Sequence, residues 1–169
     1  WAWNATALHS AFNHLSELLP DGVPFFGLLS EPEPAFLTSA FSAASASAFS
    51  LQSVALRTEH DAVQVVWKSE QKQKAQSMNV KILQNTIEEY LTMRGEPASY
   101  LHVHTAGLIA LAEAHALKQP DLEFDEALRK TSALFESALK DNEKFIHYST
   151  GESVETGMWE LRPSTTPRK

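Results

Sequence analysis

The segment "YLHVHTAGLIALAEAHAL" sets three histidines, His102, His104 and His115, among Leu, Ala and Ile. Imidazoles serve as zinc ligands and general bases, so their spacing decides which chemistry is open to them. Along a helix successive side chains turn by about 100°, which puts His102 and His104 roughly 200° apart, on opposite faces. His104 and His115 share a face but lie three turns, roughly 16 Å, apart along the axis. Nitrogens bound to one zinc must each come within about 2 Å of it, so a single helix cannot gather the three. A two-residue spacing suits a strand, but the Ala-rich continuation and a capping Ser99 favour a helix. The remaining route to a metal is a pair just before the helix proper, completed by His147 or Glu113. No metal site is therefore assigned.

The other chemistry-bearing residues form no complete motif. His9 and His14 are five apart and diverge on a helix, and His60 beside Asp61 reads as a turn pair on the surface. Glu88 and Glu89 read as a solvated face, and Glu123 to Glu126 as a charged helix start. No H-E-x-x-H, G-x-S-x-G or phosphate-loop pattern occurs, so no catalytic residue is assigned. The absence of cysteine excludes disulfides, thiolate zinc sites and a Cys nucleophile, and fits a reducing, cytoplasmic setting. A net charge of −7 disfavours a broad polyanion-binding surface. The longest apolar stretches carry His, Glu or Ser and fall short of membrane-spanning length, so no membrane partner is expected.

These residues need elements to position them, and 169 residues suffice for one ordinary domain or two small ones. In "NATALHSAFNHLSELLPDG", Leu8, Phe12, Leu15 and Leu19 recur at helical spacing, with Asn4 as candidate cap and Pro20-Asp21-Gly22 as the stop. "VPFFGLLS" reads as a short strand covered on both faces. "EPEPAFLTSAFSAASASAF" reads as a helix started by Pro and Glu, with small residues that let it lie close to a sheet. "SLQSVALRTEHDAVQVVWK" reads as two strands around a turn at Glu59-His60-Asp61, with Val63, Val65 and Trp67 on one face. The strand-helix-strand crossover implies parallel neighbours and the hairpin adds one antiparallel strand, which makes the sheet mixed.

The order helix, strand, helix, strand, strand over residues 1–68 resembles the C-terminal half of a class I S-adenosylmethionine-dependent methyltransferase. That family ends in a parallel strand, a helix, and a hairpin whose last strand slots in antiparallel. Bacterial DNA methylases of this sort carry similar pieces: "VPFFGLLSEPEP", "AVQVVWK" and a Trp-containing amphipathic helix. The Gly-rich donor-binding loop has no counterpart, and "VPFF" lacks the Asx and first Pro of the family's Asx-Pro-Pro-aromatic motif. The resemblance thus implies the non-catalytic end of such an enzyme, with S-adenosylmethionine a cofactor of the parent protein and not of this piece. The opening "WAWNATALHSAF", a helix already under way without an initiator Met, carries the same expectation of a fragment.

A polar bridge, residues 69–78 within "KSEQKQKAQSM", favours helix by composition. Residues 79–162 then hold three helices and a hairpin. "NVKILQNTIEEYLTMRGEP" places Val80, Leu83, Ile87 and Tyr90 on one face, with Arg94 near the end and Gly95 as C-cap. Ser99 starts the histidine-bearing helix and Lys118-Gln119-Pro120 ends it. Asp121 is the candidate cap of "LEFDEALRKTSALFESALKDN", whose Phe124, Leu128, Thr131 and Phe135 form a stripe. "KFIHYS" and "GMWEL" flank the polar loop "TGESVETG", and residues 163–169 read as a flexible tail. This order resembles a winged helix, so the expected fold class is α/β with a mainly α, winged-helix-like second domain.

The family resemblance implies DNA contact through the parent protein. Candidate nucleic-acid-binding residues are Lys68, Lys72 and Lys74 at the bridge, and Arg129, Lys130, Lys140 and Lys144 around the third helix. That helix begins with carboxylates, which phosphate repels, so packing or contact with a protein partner is favoured over autonomous DNA binding. The alternative reading is a stand-alone protein-interaction module without enzymatic activity. The sequence sets no oligomeric state.

Overall fold

Leu19 precedes Pro20, and the proline ring pushes the residue before it out of the helical region. The first helix, α1 (Ala2–Leu18), accordingly ends there, with Leu19 extended at φ −90°, ψ 129°. The computed structural model describes residues 1–70, 74, 76–119, 121–140, 143–149 and 151–163. Helix α1 starts at Trp1 and not at the expected cap Asn4, because the extra turn buries Ala5 completely. Its Phe12 is buried, and Leu8, Leu15 and Leu19 pack on the core.

Strands β1 (Pro24–Leu29), β2 (Phe49–Ala55) and β3 (Val63–Ser69) form one sheet in the order β1-β3-β2. Both pairings are antiparallel, from Pro24 opposite Lys68 to Leu29 opposite Val63, and from Phe49 opposite Ser69 to Ala55 opposite Gln64. The expected mixed sheet is therefore corrected. β1 and β2 run the same way, but β3 lies between them, so no parallel pair forms. The alternation of Val63, Val65 and Trp67, all buried, suits β3 to that central place.

Helix α2 (Pro34–Ala46) crosses from β1 to β2, and α1 lies beside it on the same sheet face. Phe12 of α1 and Phe41 of α2 both meet Trp67, at ring distances of 5.4 and 6.3 Å. The opposite face carries no helix among the described residues, so Phe26 and Leu28 stand 73% and 69% exposed. β1 was expected to be covered on both faces, and this corrects that reading.

The small residues of α2 serve more than the sheet. Leu37 through Ser45 are all buried, because α4 and α5 of the second half pack on the helix as well. Two of its buried hydroxyls hydrogen-bond locally: Thr38 Oγ1 donates to Pro34 O and Ser39 Oγ to Ala35 O, both at 2.9 Å.

Ser69 belongs to β3, and Glu70, Lys74 and Gln76 to Met78 are non-helical, while residues 71–73 and 75 of the bridge lie outside the described residues. Helix α3 (Val80–Arg94) begins where Asn79 accepts the Lys81 N–H at 2.8 Å, and ends at Gly95 in the left-handed region, φ 70°. The two-residue strand β4 (Ala98–Ser99) leads into α4 (Tyr100–Glu113). Helix α4 stops at Glu113, five residues before Lys118. His115 takes φ 52°, its N–H bonds to Ala112 O at 3.0 Å, and the Ala116 N–H bonds to Leu111 O at 2.8 Å. This Schellman closure turns the chain so that Ala116 and Leu117 enter the core. Pro120, expected to terminate the helix, lies outside the described residues.

Helix α5 (Phe124–Leu139) is capped by Glu123, without a side-chain bond, and not by Asp121. Strands β5 (Phe145–Tyr148) and β6 (Met158–Leu161) complete a second antiparallel sheet, ordered β4-β6-β5. The loop between β5 and β6 is tied down, since Trp159 Nε1 donates to Val154 O at 3.1 Å while His147 stacks on the indole at 4.0 Å. Buried side chains of both halves, from Phe12 to Trp159, form one continuous core.

Candidate functional site

The three histidines separate. His115 sits at the turn after α4, and His102 is half-buried with Nδ1 3.0 Å from Ser99 Oγ. Burial and the Arg94 charge hold His102 below the ordinary imidazole value. His104 alone enters the core, 3% exposed, its ring 4.3 Å from Phe135 of α5 and 5.3 Å from Tyr100. Among the described residues no group of three or more His, Asp or Glu gathers in metal-binding geometry.

His104 Nε2 lies 3.2 Å from Thr38 Oγ1, which also bonds to Pro34 O at 2.9 Å. Carbonyls only accept, so the single Thr38 proton goes to Pro34. Nε2 must then carry the imidazole hydrogen and donate it to Thr38. The other ring nitrogen, Nδ1, is left as a buried acceptor with no partner. Burial pushes the ring's pKa down to about 3, so it is neutral near pH 7. A base that weak is poorly matched to proton abstraction at neutral pH, and the group acts as a hydrogen-bonding surface instead.

The ring forms part of the wall of a cavity of about 240 Å³ where α2, α4 and α5 meet. Its walls include Trp1, Pro34, Tyr100 and Leu128, and Asp125, Arg129, Ser132 and Glu155 stand around it. Arg129 is paired with Asp125 one helical turn away. Burial, with Glu155 and Glu136 adding, pushes the Tyr100 phenol above its ordinary value. Burial first, then Glu31 and Glu155, raises the Glu33 carboxyl at the start of α2. No motif reveals this arrangement in the sequence, since Thr38 and His104 are 66 positions apart.

The basic residues singled out for nucleic acid are scattered. Lys68 is exposed on the outward face of β3, Lys74 is exposed in the connection to α3, and Lys72 lies outside the described residues. Each of the others has a carboxylate partner: Arg129 with Asp125, Lys130 with Glu126 at 3.2 Å, Lys140 with Glu136, and Lys144 with Glu88 at 3.0 Å. A phosphate approaching these four would have to displace an existing ion pair. His60 and Asp61 donate their backbone N–H groups to Thr58 Oγ1, each at 3.2 Å, in an exposed turn.

No helix among the described residues is long and apolar enough to cross a membrane. Comparison with family models, curated proteins and solved structures finds no match to this chain.

Proposed function

We propose that this chain is the C-terminal, non-catalytic part of a DNA methyltransferase-like protein, with a winged-helix-like accessory domain on residues 79–162. The observation that carries the reading is the strand arrangement: α2 crosses from β1 to β2, and β3 slots antiparallel into the space between them. That is the closing pattern of the family the sequence resembles. Further support comes from the bare sheet face under Phe26 and Leu28 and from β1's position at the sheet edge, both suited to a sheet that continues past β1. For the second half, support comes from the order α3, β4, α4, α5, β5, β6, with a loop at 149–157 as the wing.

The donor itself does not fit these residues. The turn from β1 into α2 is Ser30-Glu31-Pro32-Glu33, which supplies two carboxylates and no glycine. No step of methyl transfer is therefore assigned to this chain. Titration of the isolated chain with S-adenosylmethionine is expected to give no response, and stoichiometric micromolar binding would defeat this part of the proposal. Reading the gene upstream of Trp1 tests the rest. A Gly-rich strand-to-helix turn and an Asx-Pro-Pro-aromatic motif there support the proposal, and a start codon directly before Trp1 removes it.

One observation favours a second reading, a protein-interaction module: four of the candidate DNA-contacting cations already have acidic partners. Gel shifts at low and at physiological salt separate the two. Sequence-selective binding that survives physiological salt requires a DNA-facing role, because purely phosphate-driven binding weakens steeply with salt.

A further inference from the structure

We propose that the free edge of β1 is where a second copy of this chain docks, antiparallel, joining the two three-stranded sheets into one. The inference goes beyond the methyltransferase reading, in which a strand of a longer protein would take the same edge. It rests on backbone register, on the protections this edge lacks, and on its complementarity to itself.

The Ser69 N–H bonds to Val23 O at 3.0 Å, and the register continues with Phe25 opposite Trp67 and Gly27 opposite Val65. In an antiparallel pair every second residue exchanges its backbone bonds with the neighbouring strand, so Phe25, Gly27 and Leu29 direct theirs at β3. The N–H and C=O groups of Phe26 and Leu28 then point the other way, off the edge of the sheet. Their side chains, bare as described above, stand beside that edge. Edge strands are ordinarily guarded by a charge, a bulge or a covering element. The opposite edge, β2, has two of these: a register shift between Leu51 and Ser53, and α4 packed against it. The register of β1 is unbroken, and no Asp, Glu, Lys or Arg falls between Val23 and Ser30. Pro24 interrupts it only at its start.

This edge matches a copy of itself. A twofold axis through Gly27 sets Phe26 of each copy opposite Leu28 of the other, since the two residues flank the glycine symmetrically. Both have outward-facing backbone, so each such pair exchanges its N–H···O=C bonds in both directions. Their side chains share a face, and each exposed Phe26 is covered by the exposed Leu28 of the second copy. Neighbouring registers do less. Centring the axis on Phe26 sets Leu28 opposite Pro24, which has no N–H to donate. Centring it on Leu28 sets Phe26 opposite Ser30 and leaves the ring without an apolar partner. The contact is isologous, so it closes at two chains.

Light scattering on the 169-residue chain over a concentration series tests this. The mass is expected to rise from 18.8 kDa to twice that value and to stop there. Phe26→Lys puts a charge on the edge at a solvent-facing position, where the fold is not at risk, and should return the mass to that of one chain. Met93→Lys, equally exposed but on α3, should leave the dimer intact. Register is read by cross-linking, because the chain has no cysteine of its own. Opposed residues of a hydrogen-bonded pair stand about 5.5 Å apart at Cα, within disulfide reach. A mixture of Phe26→Cys and Leu28→Cys chains should therefore oxidise to a linked dimer far more readily than either chain alone. A single-chain mass throughout the series, a mass that climbs past two chains, a dimer that survives Phe26→Lys, or equal cross-linking of each cysteine variant with itself would each overturn the proposal. Such a failure leaves the methyltransferase reading standing, since that depends on the sequence upstream of Trp1.

Discussion

Replacing His104 by Phe probes a titratable group held fully inside the core. The native ring is 3% exposed and stays neutral down to about pH 3, because burial penalises its cation. In the unfolded chain the same imidazole takes up a proton below about pH 6.5. Between these values the unfolded state binds a proton that the native state refuses, so stability rises with pH. The contribution is fully present above about pH 6.5 and drains away as acid titrates the unfolded ring. Each unit below that value costs about a factor of ten in the folding equilibrium, so at pH 4.5 the native protein has lost roughly 3 kcal/mol through this residue alone.

The His104→Phe variant cannot lose it. At pH 7 the substitution forfeits one hydrogen bond to Thr38, about 1 kcal/mol, and removes an unpartnered buried acceptor that costs about 1–3 kcal/mol. The variant should therefore match or slightly exceed the wild type there, and Thr38 keeps its bond to Pro34. Urea unfolding followed by fluorescence of the buried Trp67 and Trp159, at pH 7, 5.5 and 4.5, measures the difference. Groups common to both proteins cancel in that difference. If the gap fails to widen in favour of the variant by at least about 2 kcal/mol between pH 7 and 4.5, the ring is not the buried neutral group described above.

Three further substitutions test how local rules and packing combine. His115→Gly should raise stability by about 1 kcal/mol in chemical denaturation, since glycine adopts φ 52° without the Cβ penalty that histidine bears; destabilisation would mean that the imidazole itself holds the turn. Asn79→Ala should lower stability by about 1 kcal/mol by leaving the Lys81 N–H uncapped, and an unchanged urea midpoint would show that water replaces the cap. Gly27→Ala should cost about 2 kcal/mol, because a Cβ there would collide with the Trp67 indole inside the sheet; a neutral result would mean that the indole can move aside.

Features written in a few neighbouring residues were legible from the chain. Helix α1 was read from its spacing and its stop from Pro20, and Gly95 marked the end of α3. The alternation of Val63, Val65 and Trp67 announced β3. Where the local signal was weak, the reading slipped. β4 has only two residues and no pattern of its own, and it exists because β6 offers its edge. The α4 terminus was misplaced because His115 occupies a left-handed position that glycine usually fills. The candidate site was not legible at all. Histidine content drew attention to His104, but Thr38, Tyr100 and Leu128 carry no motif, and Arg129 was marked for a different role.

The amino-acid sequence by itself determined which of the longer segments are helical or extended, because backbone preference and amphipathic period are settled within a turn or two of chain. Only the tertiary structure decided that β3 would lie between β1 and β2, leaving Phe26 and Leu28 bare on the far side. It also decided that Thr38 would meet His104 across 66 residues. Such contacts depend on which apolar faces bury together most completely, and that is a property of the assembled core rather than of any one segment.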